Sequence, residues 1–199
     1  GSSSKFSGIL ITNSISNNAI SATYHSCNFE RNSVIDGNGG ACCISSSRLV
    51  EVDLNIINCT FRNNSASNDG GALYISNMNQ VSIEESKFYD NKCYFRGGAL
   101  FIEYNQSITT DLTLLESQLY CSISECIFER NKAQEHANAL YICDIREDDI
   151  AYAIENNIFT DNYNESMAFD YVIASMKQNL NIETNVFNNT DKSIDVHPL

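Results

Sequence analysis

The sequence contains no Trp, one Pro and few basic residues. Its 12 Lys and Arg stand against 25 Asp and Glu, and the formal net charge of −13 at pH 7 opposes binding to nucleic acid or to an anionic membrane surface. The chain also lacks an apolar run of about 18 residues, the length that a helix needs to cross a bilayer. We therefore expect neither nucleic acid binding nor direct membrane insertion.

Patterns typical of metal sites are missing as well. No Cys-x-x-Cys pair occurs, and the three histidines are far apart in the chain. We therefore expect no metal and no cofactor. The eight cysteines leave two interpretations open, because Cys27, Cys59 and Cys126 share one position in a repeat. In stacked turns they would be either buried packing thiols or disulfide partners.

What the sequence has in excess is Asn, with 26 residues, together with two recurring motifs. The first motif is Phe-x-x-Asn, at Phe29 and Asn32, Phe61 and Asn64, Phe88 and Asn91, Phe128 and Asn131, and Phe159 and Asn162. The second is Gly-Gly-Ala, which begins at Gly39-Gly40, Gly70-Gly71 and Gly97-Gly98 and becomes Ala137-Asn138-Ala139 in the fourth copy. Phe187 begins a degenerate sixth copy. A period of roughly 27 to 40 residues predicts a solenoid.

Each repeat is predicted to hold two strands. Apolar residues alternate with polar ones before each Phe, as in Val81-Ser82-Ile83, which indicates a strand with one face inward. The run after each glycine motif, such as Leu100-Phe101-Ile102, is apolar throughout and does not show which face is inward. We predict an all-β fold, a right-handed single-stranded parallel β-helix of about six coils. It would form one domain over residues 8–199, with residues 1–7 as a tail left from expression or processing.

The motif residues have structural roles in such a coil. We expect the Phe rings to stack in an interior column and the Asn amides to pair between neighbouring coils at a corner. The Gly pair would supply positive φ or close approach of the chain. A second aromatic column is predicted at Tyr74, Phe101 and Tyr141, which would either pack in the structure or bind sugar rings.

Candidate functional groups lie in the loops and corners. The insertion at 109–116 would protrude on one side, and the segment 144–149 is an acidic tip that we expect to be solvated. Asp36, Asp69 and Asp90 fall in the corner between the two motifs, and Asp36 and Asp69 could be neighbours across coils. A β-helix enzyme acting on polysaccharides would need such carboxylates to converge on one exposed sheet.

The two motifs in this order resemble the paired repeat of the chlamydial polymorphic outer membrane proteins, a family of surface autotransporters and adhesins. Similar repeats occur in surface proteins of unicellular eukaryotes. The resemblance covers roughly residues 8 to 190, and the match is full for the copies that begin at Phe61 and Phe88. It implies a surface domain that works in adhesion or as a scaffold, and it implies no catalytic residues.

The sequence thus predicts a non-enzymatic extracellular or cell-surface module that binds an unidentified protein or glycan. The alternatives are a pectate-lyase-like enzyme and an assembly subunit that associates end to end or laterally in a surface or flagellar filament. Candidate glycosylation sites are the sequon residues Asn63, Asn105, Asn164 and Asn188. A fifth sequon, at Asn58, lies beside a packing position, where we expect a glycan to fit poorly.

Overall fold

The structure is a computed structural model that describes residues 9–13, 20–46, 52–104, 119–144, 150–162, 169–175, 180–181, 184–188 and 192–197. These residues form β-strands, turns and bends, and none of them lies in a helix. The strands are β1 Ile9–Asn13, β2 Ile20–His25, β3 Asn28–Glu30, β4 Ser33–Val34, β5 Cys42–Ser46, β6 Val52–Ile57, β7 Thr60–Arg62, β8 Ser65–Ala66, β9 Leu73–Ser76, β10 Gln80–Glu84 and β11 Lys87–Tyr89. They continue with β12 Leu100–Tyr104, β13 Leu119–Ser124, β14 Ile127–Glu129, β15 Leu140–Asp144, β16 Ile150–Glu155, β17 Ile158–Thr160, β18 Phe169–Ser175, β19 Leu180–Asn181, β20 Val186–Asn188 and β21 Lys192–His197.

The strands stack in parallel into three long sheets. Sheet A has the order β1-β5-β9-β12-β15-β18-β21, sheet B β19-β16-β13-β10-β6-β2, and sheet C β20-β17-β14-β11-β7-β3, while β4 and β8 form a short fourth sheet. The chain visits B, C and A in turn and then repeats, so the fold is a parallel β-solenoid. Four turns are described without a gap from their first strand to their last, at 20–46, 52–76, 77–104 and 119–144. The expected count of six coils is not confirmed.

Sheet B has the inward and outward alternation that the sequence predicts. Val81 and Ile83 are fully buried, while Ser82 between them is half-buried and Glu84 is exposed. The register places Val81 beside Leu54 and Cys121 of the neighbouring turns, so equivalent positions of the repeat form continuous interior rows. Period-two patterning therefore located both this strand and its buried face.

Sheet C carries the interior aromatic column. The rings of Phe29, Phe61, Phe88, Phe128, Phe159 and Phe187 stack with centroids 4.8–5.0 Å apart and planes within 10° of parallel. Phe88 and its two neighbours in the column are essentially inaccessible to solvent. The strand spacing of a parallel sheet fixes this distance, since each turn of the solenoid adds one ring to the column.

In sheet A the structure shows which side chains face inward, which the uniformly apolar sequence of its strands does not. Leu100 and Ile102 face the main core, whereas Phe101 faces the other side, where it stacks between Tyr74 and Tyr141 with centroids 5.4 Å apart. The outward rings are nonetheless buried, with exposures of 0 % for Phe101 and 9 % for each Tyr. The second aromatic column is therefore packed, and it is not an open platform for sugar rings.

The corner after sheet C, which we call the Asn corner, is held by a ladder of buried amides. Its residues are Asn32, Asn64, Asn91, Asn131 and Asn162. In each rung the Oδ1 of one Asn accepts two hydrogen bonds from the Asn of the preceding turn, as when Asn91 accepts from the backbone N–H and the Nδ2 of Asn64, both at 3.0 Å. The Nδ2 of Asn91 donates in turn to the Phe61 carbonyl and to Asn131 Oδ1. The ladder thus satisfies corner backbone groups that the sheets leave unpaired.

The position two residues before each Phe forms a second polar column. Its side chains accept the backbone N–H of the preceding turn: Cys59 N–H donates to Ser86 Oγ at 3.0 Å, and Cys126 N–H donates to Asn157 Oδ1 at 2.9 Å. Cys27 N–H donates to the Cys59 Sγ at 3.4 Å. The shared position of the cysteines is therefore explained by packing together with weak hydrogen-bond acceptance, and Ser or Asn serves the same purpose in other turns.

All eight cysteines are free thiols in the structure. Burial raises the pKa of Cys42, Cys121 and Cys126 to about 12 in each case, against an unperturbed value of 9.0. These groups stay protonated at neutral pH and are poor nucleophiles. Of the two interpretations left open by the sequence, the structure adopts the packing thiols.

Candidate functional site

The candidate site lies on the corner that precedes sheet A, which we call the glycine corner. It consists of the segments 33–40, 65–71, 92–98 and 132–138 of four successive turns. Parallel bridges between Ser65 and Lys92, Lys92 and Lys132, and Arg96 and His136 fix the alignment of the segments. A groove of about 520 Å³ opens here, lined by Asn38, Asn68, Asp69, Phe95, Arg96, Glu135, His136 and Tyr141.

The glycine pairs make the close stacking at this corner. The first glycine of each pair has positive φ, between 64° and 67°. The second permits close approach, because a Cβ on Gly98 would lie 2.1 Å from the carbonyl oxygen of Asn138, and one on Gly71 would lie 2.0 Å from that of Gly98. In the fourth turn Ala137 keeps a positive φ of 52° and Asn138 replaces the second glycine, so the tight stack ends against the Asn138 backbone.

The residues just before the glycine pair form a third ladder, and here the side chains differ in every turn. Asn38 Oδ1 accepts the backbone N–H of Asp69 at 3.1 Å, and Asp69 Oδ1 accepts the backbone N–H of Arg96 at 3.0 Å. His136 follows in the next turn through its parallel bridge to Arg96. One column thus presents an amide, a carboxylate, a guanidinium and an imidazole along the solenoid axis.

Arg96 is the fixed centre of this column. Its Nε and Nη2 donate to Asp69 Oδ1 and Oδ2 at 3.0 and 2.9 Å, and its guanidinium carbon lies 4.7 Å from the centre of the Phe101 ring and 5.4 Å from that of Tyr141. Burial acts to lower the pKa of Arg96, but the hydrogen bonds and charge of Asp69 outweigh it and raise the pKa. The guanidinium is therefore charged, oriented and paired, and it covers the outer aromatic column.

The rim of the groove is exposed and mixed in character. Phe95 is 37 % exposed, and the adjacent Tyr94, 49 % exposed, meets its ring edge to face at 5.0 Å. Glu135 and His136 are exposed on the following turn, and the His136 ring lies 6.4 Å from that of Tyr141. The groove therefore combines an exposed aromatic edge with a lining in which polar side chains outnumber the two aromatic ones.

The structure separates the three carboxylates that the sequence placed in this corner. Asp36 and Asp69 are in different columns, because the backbone N–H of Asp36 aligns with Ser67 Oγ at 2.7 Å whereas Asp69 aligns with Asn38. Asp90 lies at the Asn corner, where Arg130 donates to both its carboxylate oxygens at 2.7 and 3.0 Å. Of the three, Asp69 alone lines the groove.

The acidic tip was predicted wrongly at its first residue. Asp144 is buried, with 3 % exposure, and its Oδ2 accepts a hydrogen bond from the Tyr152 hydroxyl at 2.7 Å. The reason is its register at the end of β15, opposite the buried Tyr104 of β12. Residues 145–149 and the insertion at 109–116 lie outside the described residues.

Three of the sequon residues are described, and all three are exposed. Asn63 has a positive φ of 54° at the Asn corner, and Asn188 Nδ2 donates to Thr160 Oγ1 at 3.2 Å. Asn58 is exposed too, at the corner between sheets B and C, and its Nδ2 donates to Ser26 Oγ at 3.1 Å. Its neighbour Cys59 points inward while Asn58 points outward. Asn105 and Asn164 lie outside the described residues.

Sequence reasoning missed Phe95, Arg96, Glu135 and His136 as members of one site. The signal available was positional, since Arg96 and His136 stand immediately before Gly97 and Ala137. Repeat analysis searches for residues that recur, and these positions vary. In the described part of the chain, no group of three or more His, Cys, Asp or Glu side chains could hold a metal ion. None of the described residues forms a helix that could span a membrane.

Fold and site together define a parallel β-solenoid with a groove on one corner. Comparison with known proteins adds that residues 58–76 match the Chlamydia polymorphic membrane protein repeat, which confirms the resemblance inferred from the two motifs. The chain is also 29 % identical over 147 residues to metabotropic glutamate receptor-like protein R of Dictyostelium discoideum. That alignment covers 68 % of this chain and 8 % of the relative, so the chain corresponds to a small part of that protein. No solved structure matches.

Proposed function

We propose that the chain is a non-enzymatic cell-surface or extracellular module that acts in adhesion, with the groove on the glycine corner as its contact site. The polymorphic membrane protein repeat supports a surface protein, and the receptor-like relative supports the same location. The observation that carries adhesion over a purely structural role is the groove itself. It brings side chains from four successive turns together around one opening.

The finer description of the fold is part of this proposal. We infer a right-handed coil of about six turns, because crossovers between parallel strands of one sheet are right-handed in about 98 % of cases. The column of Phe rings from Phe29 to Phe187 supports the number of turns.

The state of the carboxylates supports a role without catalysis. Hydrolysis of a glycosidic bond needs two carboxyl groups on either side of the bond, one to donate a proton and one to act as base or nucleophile. Asp69 is engaged by three hydrogen bonds from Arg96, and Asp36 is in another column. Glu135 is the other carboxylate in the groove lining, and a single available acid favours binding over cleavage.

The test has two parts. An antibody raised against this domain should label intact cells of the source organism without permeabilisation. Beads coated with the purified domain should adhere to those cells, and beads coated with a groove variant, Phe95→Ala, should adhere less. Labelling without any bead adhesion would leave a scaffold role and contradict adhesion. Release of reducing ends from neutral or acidic polysaccharides by the purified domain would overturn the non-enzymatic proposal.

A further inference from the structure

We infer that the groove on the glycine corner binds a neutral saccharide, one or two sugar residues at the end of a glycan chain. The inference rests on the proposed adhesive function and names its ligand class. Its basis is the combination of groove shape, polar lining, exposed aromatic edge and charge at this one place.

The groove has the dimensions of a site for a small ligand. Its volume of about 520 Å³ lies within the range of roughly 300–1,000 Å³ that is usual for such sites. The lining comes from two adjacent columns of the glycine corner, Asn68-Phe95-Glu135 and Asn38-Asp69-Arg96-His136, with Tyr141 behind them. A cleft that follows the columns across four turns is elongated along the solenoid axis and suits a short chain of rings.

The polar lining matches hydroxyl groups. Asn38, Asn68 and His136 have side chains that can both donate and accept hydrogen bonds, and the Glu135 carboxylate accepts them. A sugar hydroxyl also donates and accepts, so an alternating set of amide, carboxylate and imidazole can pair with vicinal hydroxyls. A site built to bind hydroxyls discriminates strongly against ligands that lack them.

The backbone of the corner argues against an extended peptide as the ligand. Peptides that add to a sheet need unpaired main-chain groups at an edge. Here those groups are engaged between turns: Phe95 N–H donates to the Asn68 carbonyl, and Glu135 N–H and His136 N–H both donate to the Phe95 carbonyl. Recognition must therefore come from side chains, as it does for saccharides.

Phe95 supplies the apolar surface. Its ring is 37 % exposed although it is large and apolar, and the edge-to-face contact with Tyr94 holds its orientation. The C–H face of a pyranose ring is apolar and can pack on an aromatic ring while its hydroxyls reach polar neighbours. This explains why an apolar side chain is kept at the solvent boundary of a polar groove.

Charge selects neutral over acidic glycans. Asp69 and Arg96 neutralise each other, so Glu135 leaves the lining with a net negative charge when His136 is neutral. The whole chain carries −13. A sulfated or carboxylated sugar would be repelled both at the site and by the field of the protein.

The experiment measures binding of the whole 199-residue chain to a glycan array that carries neutral and acidic oligosaccharides, followed by titration with the strongest neutral oligosaccharide in solution. We expect binding to neutral glycans, and an affinity at least tenfold lower for Phe95→Ala. The matched control is Tyr120→Ala, which removes an aromatic ring of similar exposure (39 %) on sheet B and should bind like the wild type. Circular dichroism of each variant establishes that it is folded.

A second variant tests the site independently of Phe95. Glu135→Gln keeps the shape, removes the negative charge and should admit acidic glycans at least tenfold better than the wild type does. The inference is overturned if no neutral glycan binds at millimolar concentration, if acidic glycans alone bind, or if Phe95→Ala binds like the wild type. Equal adhesion of beads coated with wild-type and with Phe95→Ala protein would contradict the saccharide site and leave adhesion through a protein partner. If the chain binds a glycan but antibody labelling does not find it at the cell surface, the saccharide site is supported and the proposed cell-surface function is contradicted.

Discussion

The Asn corner and the glycine corner of each turn differ in which side chains they leave available for binding. At the Asn corner the same residue recurs in five successive turns, and the side-chain amides are engaged by the turns above and below. At the glycine corner the backbone repeats but the column before the glycine pair changes from Asn38 to Asp69, Arg96 and His136. A solenoid therefore assigns stability to the positions that recur and leaves recognition to positions of fixed backbone where the side chain can vary.

The largest effect is expected from breaking the Asn corner at its centre with Asn91→Ala. The substitution removes a fully buried side chain that makes four hydrogen bonds, and its partners in the two neighbouring turns lose these bonds. At 1–3 kcal/mol for each buried group left unsatisfied, we expect a loss of about 4 kcal/mol in the free energy of unfolding. Urea denaturation followed by circular dichroism measures it.

The matched control for Asn91→Ala is Asn63→Ala, one residue before the ladder in another turn. Asn63 is exposed and has positive φ, so Ala should cost about 1 kcal/mol through backbone strain alone. Equal losses for the two variants would show that the ladder does not stabilise the corner.

The next effect comes from breaking the glycine corner with Gly98→Ala. The added Cβ would lie 2.1 Å from the Asn138 carbonyl oxygen and about as close to the Lys132 backbone, and neither can move without separating two turns. Overpacking of this kind costs about 3 kcal/mol. We also expect weaker ligand binding, because separation of the third and fourth turns moves Phe95 relative to Glu135.

A smaller effect separates the two glycines of one pair. Gly97→Ala places a Cβ on a residue with φ of 67°, which strains the backbone by about 1–2 kcal/mol. This Cβ would also lie 2.3 Å from the carbonyl oxygen of Leu100, but that contact is within one turn, so a local shift of the backbone can relieve it without separating two turns. Ala137 already adopts a φ of 52° at the equivalent position of the next turn, so the fold tolerates this strain. Gly97→Ala should therefore be clearly more stable to urea than Gly98→Ala. The opposite order would show that strain within one turn costs more stability than close approach between two turns.

The contrast between the corners also explains what the sequence could predict. The Phe column and the Asn ladder were predictable because identical residues at identical spacing meet in a stack. The buried face of sheet A was not, because Leu100, Phe101 and Ile102 are all apolar and Arg96 covers the outward ring. The groove could not be found by repetition, since its residues are the ones that change from turn to turn. Asp144 was misplaced because its acidic neighbours concealed its inward register at the end of a strand.

The smallest expected effect concerns the two Arg–Asp pairs, one on each corner. It is measured as the pH dependence of stability when the pair on the Asn corner is removed. Hydrogen bonds from Arg130 hold the pKa of Asp90 below its usual value, against a smaller opposing effect of burial. A carboxyl group whose pKa is depressed on folding stabilises the protein above its unfolded pKa, and that stabilisation is lost as pH falls through the folded pKa. Asp90→Asn should therefore lower the urea midpoint at pH 7 by an amount equivalent to less than about 1 kcal/mol, since the pair is partly exposed. Below the depressed pKa the two proteins should have equal midpoints.

Asp36→Asn is the control, because Asp36 is exposed and, like Asp90, has positive φ, a conformation that Asn also adopts readily. Its midpoint should follow that of the wild type at every pH. If Asp90→Asn also follows the wild type at pH 7, the Arg130 pair contributes no stability, and the recurring amides hold the Asn corner without help from surface charge. The Arg96 pair on the other corner would then differ in kind, because its guanidinium is stacked on Phe101 as well as paired with Asp69.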